Sequence, residues 1–190
     1  MNFGVGNSAH LERINTKTPK KGDKMNRNDA LQLLCEYTQK DGLLKHAFAV
    51  EAAMRAYARK YGEDEEKWGI VGLLHDFDYE KYPTPDQHPE TGAKILKEKG
   101  YPDDVIYAIR SHADYLGLER KGLMEKTLFA VDELVGFITA VALVQPNKDI
   151  TEVKVSSVKK KLKDKAFARS VNREDIQTGT ADLGVFLDEH

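Results

Sequence analysis

The segment Trp68-Gly69-Ile70-Val71-Gly72-Leu73-Leu74-His75-Asp76 runs apolar until its last two residues. Trp68, Val71 and Leu74 recur at helical spacing, which predicts a helix over Asp64–Leu74 with a buried end. His75 and Asp76 therefore enter a core. An imidazole and a carboxylate buried side by side destabilise a fold unless each finds a partner. A divalent transition metal satisfies both, and nitrogen and oxygen donors suit Zn, Mn, Fe, Co or Ni.

Outward from this point the pattern stays helical. Asn28 or Asp29 can cap a helix that carries Leu31, Leu34, Cys35 and Tyr37, with Asp41-Gly42 as punctuation. A second helix is expected from Leu43 to Tyr61, stopped by Gly62. A loop spans Phe77 to Gln87, and Pro89 suits the first position of the next helix, which ends near Gly100. Pro102-Asp103 opens another, reaching about Tyr115, and Leu123–Val144 reads as a long apolar helix. Beyond it we expect a basic helix near Val153–Lys165 and a last helix with Ile176, Leu183, Phe186 and Leu187. Only Thr151–Val155 shows a short β-type alternation. The fold class is all-α, a single-domain helical bundle over residues 25–190. Residues 1–24 are polar and aperiodic, and are expected to form a disordered leader or extension.

Composition narrows the function. The 190 residues hold 29 Lys+Arg against 31 Asp+Glu, a net charge of −2, which excludes a strongly basic nucleic-acid binder. The longest uncharged stretch, Leu134–Asn147, is shorter than the about 20 residues a membrane span needs. A single cysteine excludes an internal disulfide framework and fits a reducing, cytoplasmic setting. Cys35 has no activating neighbour in sequence and is assigned a structural role.

Of six histidines, His10 and His190 lie near the ends. The other four lie beside apolar residues. His46 shares a helix face with Ala49, Val50, Ala53 and Tyr57; His112 follows Ala108 and Ile109; His88 precedes Pro89 at a helix mouth. Asp132 has Leu128, Phe129, Val135 and Gly136 as its helical neighbours, where a lone carboxylate must be paired. Each residue alone also fits a hydrogen-bonded core position or a helix cap. Together with His75-Asp76 they point to ligands.

The order His46 … His75-Asp76 … His88 … His112 … Asp132 resembles the HD superfamily of metal-dependent phosphohydrolases, over about residues 28–145. The segments His88-Pro89-Glu90-Thr91-Gly92-Ala93 and Ile109-Arg110-Ser111-His112-Ala113 are similar to what binuclear members show around their third and fourth histidines. The resemblance is to helical hydrolases of symmetrical dinucleoside tetraphosphates and to other HD hydrolases without an assigned substrate. It implies one or two divalent metals. His46, His75, Asp76 and Asp132 would hold the first, and Asp76 would bridge to a second held by His88 and His112. Such a site activates water and neutralises charge on a phosphoryl group of a small, nucleotide-like substrate. Two positions depart from the family pattern: Phe77-Asp78 replaces the common Ile-Gly after the HD pair, and Leu43 replaces an arginine three residues before the first histidine.

Asp76 and Asp78 are the expected catalytic carboxylates, with Asp78 either carrying a proton, orienting a ligating histidine or serving as a turn residue. Lys45, Lys81 and Arg110 are the expected cations for substrate phosphate. Lys45 and Arg110 also suit a solvated face, the simpler reading. Residues 153–173 hold eight Lys/Arg and one acid, Asp164, with Glu152 just before them. That charge suits anion steering or nucleic acid, or, more simply, a solvated helix with Val158, Leu162 and Phe167 inward. Two other functions share this ligand order: a di-iron oxygenase of the HD fold, and a non-catalytic metal-binding regulatory module.

Overall fold

The structure, a computed structural model, describes residues 25–190. The expected leader, residues 1–24, lies outside the described residues. Among the latter are eight α-helices and no strand. They are α1 (Arg27–Tyr37), α2 (Asp41–Tyr61), α3 (Glu65–Leu74), α4 (Glu90–Glu98), α5 (Asp103–Ser111), α6 (Leu123–Leu143), α7 (Val155–Leu162) and α8 (Arg173–Leu183).

Caps decide several boundaries. Asn26, rather than Asn28 or Asp29, caps α1 by accepting from the Asp29 amide. Asp41 and Gly42 belong to the first turn of α2 instead of separating it from α1, and α2 stops at Gly62 with φ 72°. Pro89 sits at the N-cap of α4, one position before the expected one. The α5 helix ends at Ser111, and the ring of the C-cap His112 bonds the Ile109 carbonyl. Thr151–Val155 forms no strand: a 3-10 turn over Ile150–Glu152 leads into α7. The basic helix is shorter than expected because the Arg173 guanidinium gathers the carbonyls of Leu162, Asp164, Phe167, Ala168 and Val171 into a turn. The last helix ends at Leu183, with Gly184 left-handed, so Phe186 is exposed. Cys35 is exposed as well.

Two cores result. The larger gathers α1 to α6 around Val50, Met54, Ile70, Leu74, Leu96 and Leu128. The smaller joins Leu134, Phe137 and Val141 of α6 to Val158 of α7 and Ile176 of α8. The helices α2 and α3 approach closely at Gly72, where a Cβ would lie 2.9 Å from both the Val50 carbonyl oxygen and Met54 Cγ. That contact sets where the end of α3, and so His75, meets the other helices. Buried Glu51 on α2 is satisfied by Arg27 (2.6 Å) and Arg55 (2.9 Å), which also ties in Glu66 of α3. None of the helices described is long and apolar enough to cross a membrane.

Candidate metal centre

Five elements bring six side chains to one place. His46 comes from α2, His75 and Asp76 from the end of α3, His88 from the turn before α4, His112 from the end of α5, and Asp132 from the middle of α6. His46 Nε2 lies 3.2 Å from His75 Nε2 and 2.9 Å from Asp132 Oδ1. His75 Nε2 is 3.4 Å from the same Asp132 oxygen. On the other side, Asp76 Oδ1 is 3.2 Å from His88 Nε2 and 3.3 Å from His112 Nε2, and those two nitrogens are 3.4 Å apart. Asp76 faces both groups, since its Oδ2 lies 3.6 Å from His75 Nε2.

The opposite ring nitrogens explain the orientation. His75 Nδ1–H donates to the Gly72 carbonyl (2.8 Å), and His112 Nδ1–H donates to that of Ile109. His88 Nδ1–H donates to Asp78 Oδ1 (2.8 Å). These bonds assign the proton to Nδ1 in all three rings and turn the Nε2 lone pairs inward. Lone pairs and carboxylate oxygens converging at 2.9–3.4 Å repel unless a positive charge lies between them. A proton or a metal ion supplies it. Two triads, His46–His75–Asp76 and Asp76–His88–His112, have ligand atoms close enough to share an ion. The donor set of imidazole nitrogen and carboxylate oxygen fits a divalent transition metal.

Without such an ion the cluster must hold protons. Burial opposes charge on His88, but the adjoining Asp76 and Asp78 carboxylates overcome it and raise the ring to about 9. Burial likewise opposes charge on His75 and His112, and Asp76 and Asp132 outweigh it. Asp76 is held well below the usual carboxylate range: burial works against this, and His75, His112 and His88 prevail.

Asp78 differs from the expected catalytic group. It is buried, with Oδ1 on His88 and Oδ2 accepting from the Gly92 amide (2.8 Å). Both oxygens are committed, so Asp78 positions His88 rather than carrying protons to a substrate. The three expected phosphate-binding cations also point elsewhere. Lys45 pairs with Asp41 on the surface, Lys81 donates to the Glu36 carbonyl beside the Tyr37 ring, and Arg110 is bound by Glu90.

The cluster opens into a cavity of about 640 Å³. Its further walls were not evident from sequence. Tyr79 packs edge-on against His88, and Tyr115 donates to the His88 carbonyl (2.5 Å). Glu133, Asn172 and Asp175 line the far side, where the Asn172 amide donates to Glu133 Oε2 (3.1 Å). Burial, then the charges of Asp132 and Asp175, push Glu133 up to about 7. Arg120 stands behind the cavity, stacked on Phe129 and paired with Asp114. The only signal for Glu133 in sequence was its place beside Asp132; nothing there linked Asp175 to the histidines.

Residues 43–135 match the family model of the HD domain. The chain carries an HD domain. No curated protein and no solved structure matches it. HD domains bind divalent metals, and the family is one of metal-dependent hydrolases. The HD match covers all six side chains of the cluster and ends before Asn172 and Asp175.

Proposed function

We propose that the protein hydrolyses a phosphate ester or anhydride of a small substrate, with two divalent ions held by the six clustered residues. The observation that carries this reading is Asp76, whose two oxygens face different histidine groups as a shared ligand must. When bound, the ions lower the pKa of water and neutralise charge on the phosphoryl group. The chain's own residues do the rest. His46, His75 and Asp132 hold one position, His88 and His112 the other. The Gly72 and Ile109 carbonyls and Asp78 fix the rings. Tyr79 and Tyr115 narrow the mouth and limit entry of bulk water. A nucleotide-like substrate follows from the family resemblance. The cavity lining, rich in carboxylates and without lysine or arginine among the described residues, supports a single phosphoryl group over a polyphosphate chain.

Metal analysis of protein prepared without chelators, followed by turnover with Mn²⁺ or Co²⁺ on nucleotides and phosphate monoesters, tests this reading. Two ions per chain and phosphate release without O₂ are expected. Turnover that requires O₂, with a visible iron band and no phosphate release, would replace it with an oxygenase. A chain that binds no metal at all would sink both.

A further inference from the structure

The end of α6 carries a surface that the metal centre does not use. Leu143 and Val144 close that helix, Ile150 sits in the 3-10 turn and Val155 opens α7. All four are more than half exposed, and they are four of the nine large apolar or aromatic side chains that stand exposed among the described residues. Turns closed by the Gln145 and Lys148 amides fold this segment back, and Val153 anchors it on the smaller core, which Val158 of α7 shares with Val141 of α6. The start of α7 therefore lies beside the end of α6. Its outer face is basic: Lys159, Lys160 and Lys163 line a hollow of about 500 Å³ with Val155, Ser156 and Asp188. Residues 148–165 hold seven lysines and three acids, and Asp188 adds a fourth acid by pairing with Lys159 (2.7 Å), which leaves a net +3 in a chain of net −2. Among the described residues, Lys148, Lys154, Lys160 and Lys163 have no carboxylate partner, since Asp164 reaches Lys161, Glu152 accepts from Asn147 and Asp149 from Thr151.

From this we infer that the end of α6 and the outer face of α7 dock on an anionic lipid surface, with the four apolar side chains in the headgroup boundary and the unpaired lysines on lipid phosphate. Lysines are drawn to an anionic bilayer, and shallow apolar insertion removes from water the surface that now faces it. Nucleic-acid phosphates would meet the lysines but leave the four apolar side chains in water. A second copy fits less well, because a two-fold contact through this patch sets the same lysines against each other. From Asp132 to Leu143 the helix α6 rises about 16 Å, so the surface is separate from the metal cluster. The inference does not depend on the phosphohydrolase reading: it concerns where the protein works, and leaves the reaction to the cavity.

The test is sedimentation of the full chain with vesicles of phosphatidylcholine alone and of an equal mixture of phosphatidylcholine and phosphatidylglycerol. The mixture should bind about tenfold or more tightly, and added salt should weaken that binding. The double variant Lys160→Glu/Lys163→Glu should lose the preference. Ile150→Ser/Val155→Ser, which keeps every lysine, should weaken binding to the mixture about tenfold as well. All four positions are exposed, so both variants should keep the wild-type melting temperature and metal content. Equal binding to the two kinds of vesicle, or binding to neither, would overturn the inference. So would binding that the serine variant leaves unchanged, which would mark a purely ionic surface. Polyglutamate that binds as tightly as the mixed vesicles would assign the patch to an acidic protein instead, and a dimer in sedimentation velocity that Ile150→Ser/Val155→Ser dissolves would assign it to a second copy.

Discussion

The two ends of the cavity are built by different means. At the metal end three of the four histidines are held twice. Their Nε2 atoms face the cluster, and Nδ1 is tied to a carbonyl or to Asp78. At the far end Glu133 and Asp175 are set by the packing of α8 on α6 over the smaller core and by the Asn172 amide on Glu133. A ligand that is tied on both sides cannot be changed without losing the ion. A rim residue on a separate helix can be changed with the metal chemistry kept. The contrast separates reaction from selection within one cavity.

The largest effect should come from Asp76. Asp76→Ala removes the shared oxygens, so both ions should be lost, with turnover falling by at least about a thousandfold and the melting temperature dropping to that of chelator-treated protein. Elemental analysis and thermal melts check this; a variant that keeps both ions would break the notion of a shared ligand. Asp78→Asn comes next. It keeps the shape but weakens the hold on His88, and should lower affinity at the His88–His112 position by about 10–100-fold while sparing the His46–His75 position. Titration of the metal-free protein should then show one tight and one weak ion. Gly92→Ala should do the same more mildly, since a Cβ there would lie 2.8 Å from Asp78 Cγ.

At the far end, Ile176→Ala opens a cavity in the smaller core and should destabilise the fold by about 2–5 kcal/mol. Below the melting transition, metal content should hold while KM rises. Equal losses of metal and substrate binding would show that the two ends are not separable.

The smallest effect concerns His190, which bridges α2 and α6. Its Nε2–H donates to the Ala130 carbonyl (3.0 Å) and its Nδ1 accepts from Tyr57 Oη (2.5 Å), an arrangement that requires a neutral ring. Burial accordingly lowers its pKa, outweighing the Ala130 bond. The unfolded chain then binds the proton more readily, so this contribution is complete above the ordinary histidine pKa of about 6.5 and declines as pH falls towards the depressed folded value. His190→Gln should therefore melt below wild type at pH 7.5, with a gap that narrows by pH 5. A gap constant across that range would assign His190 no such role.

The helices and the cluster were legible because both rest on local signals. Helical spacing gives the faces, and a polar residue on an apolar face, as at His46 and Asp132, marks itself. The substrate side was not legible. Lys45 and Arg110 are close to ligands in sequence, yet one residue along a helix turns a side chain by about 100°; Lys81 lies in the turn after α3, and all three have partners nearby. Asp175 is 43 positions from Asp132, and only the packing of α8 brings it to the cavity. Asp78 showed its neighbourhood but not its direction. His190, set aside for lying near an end, is half-buried by a tertiary contact with α2 and α6.

One arrangement has an electrical side. His75 and His112 occupy the C-caps of α3 and α5, so two helices end at the cluster. The C-terminus of a helix carries the negative pole of its peptide dipoles, worth about half an elementary charge. The backbone thus contributes negative potential from two directions, independent of any ionisable group. Such a place favours a cation before a single carboxylate is counted, and keeps that preference when protons compete for the side chains.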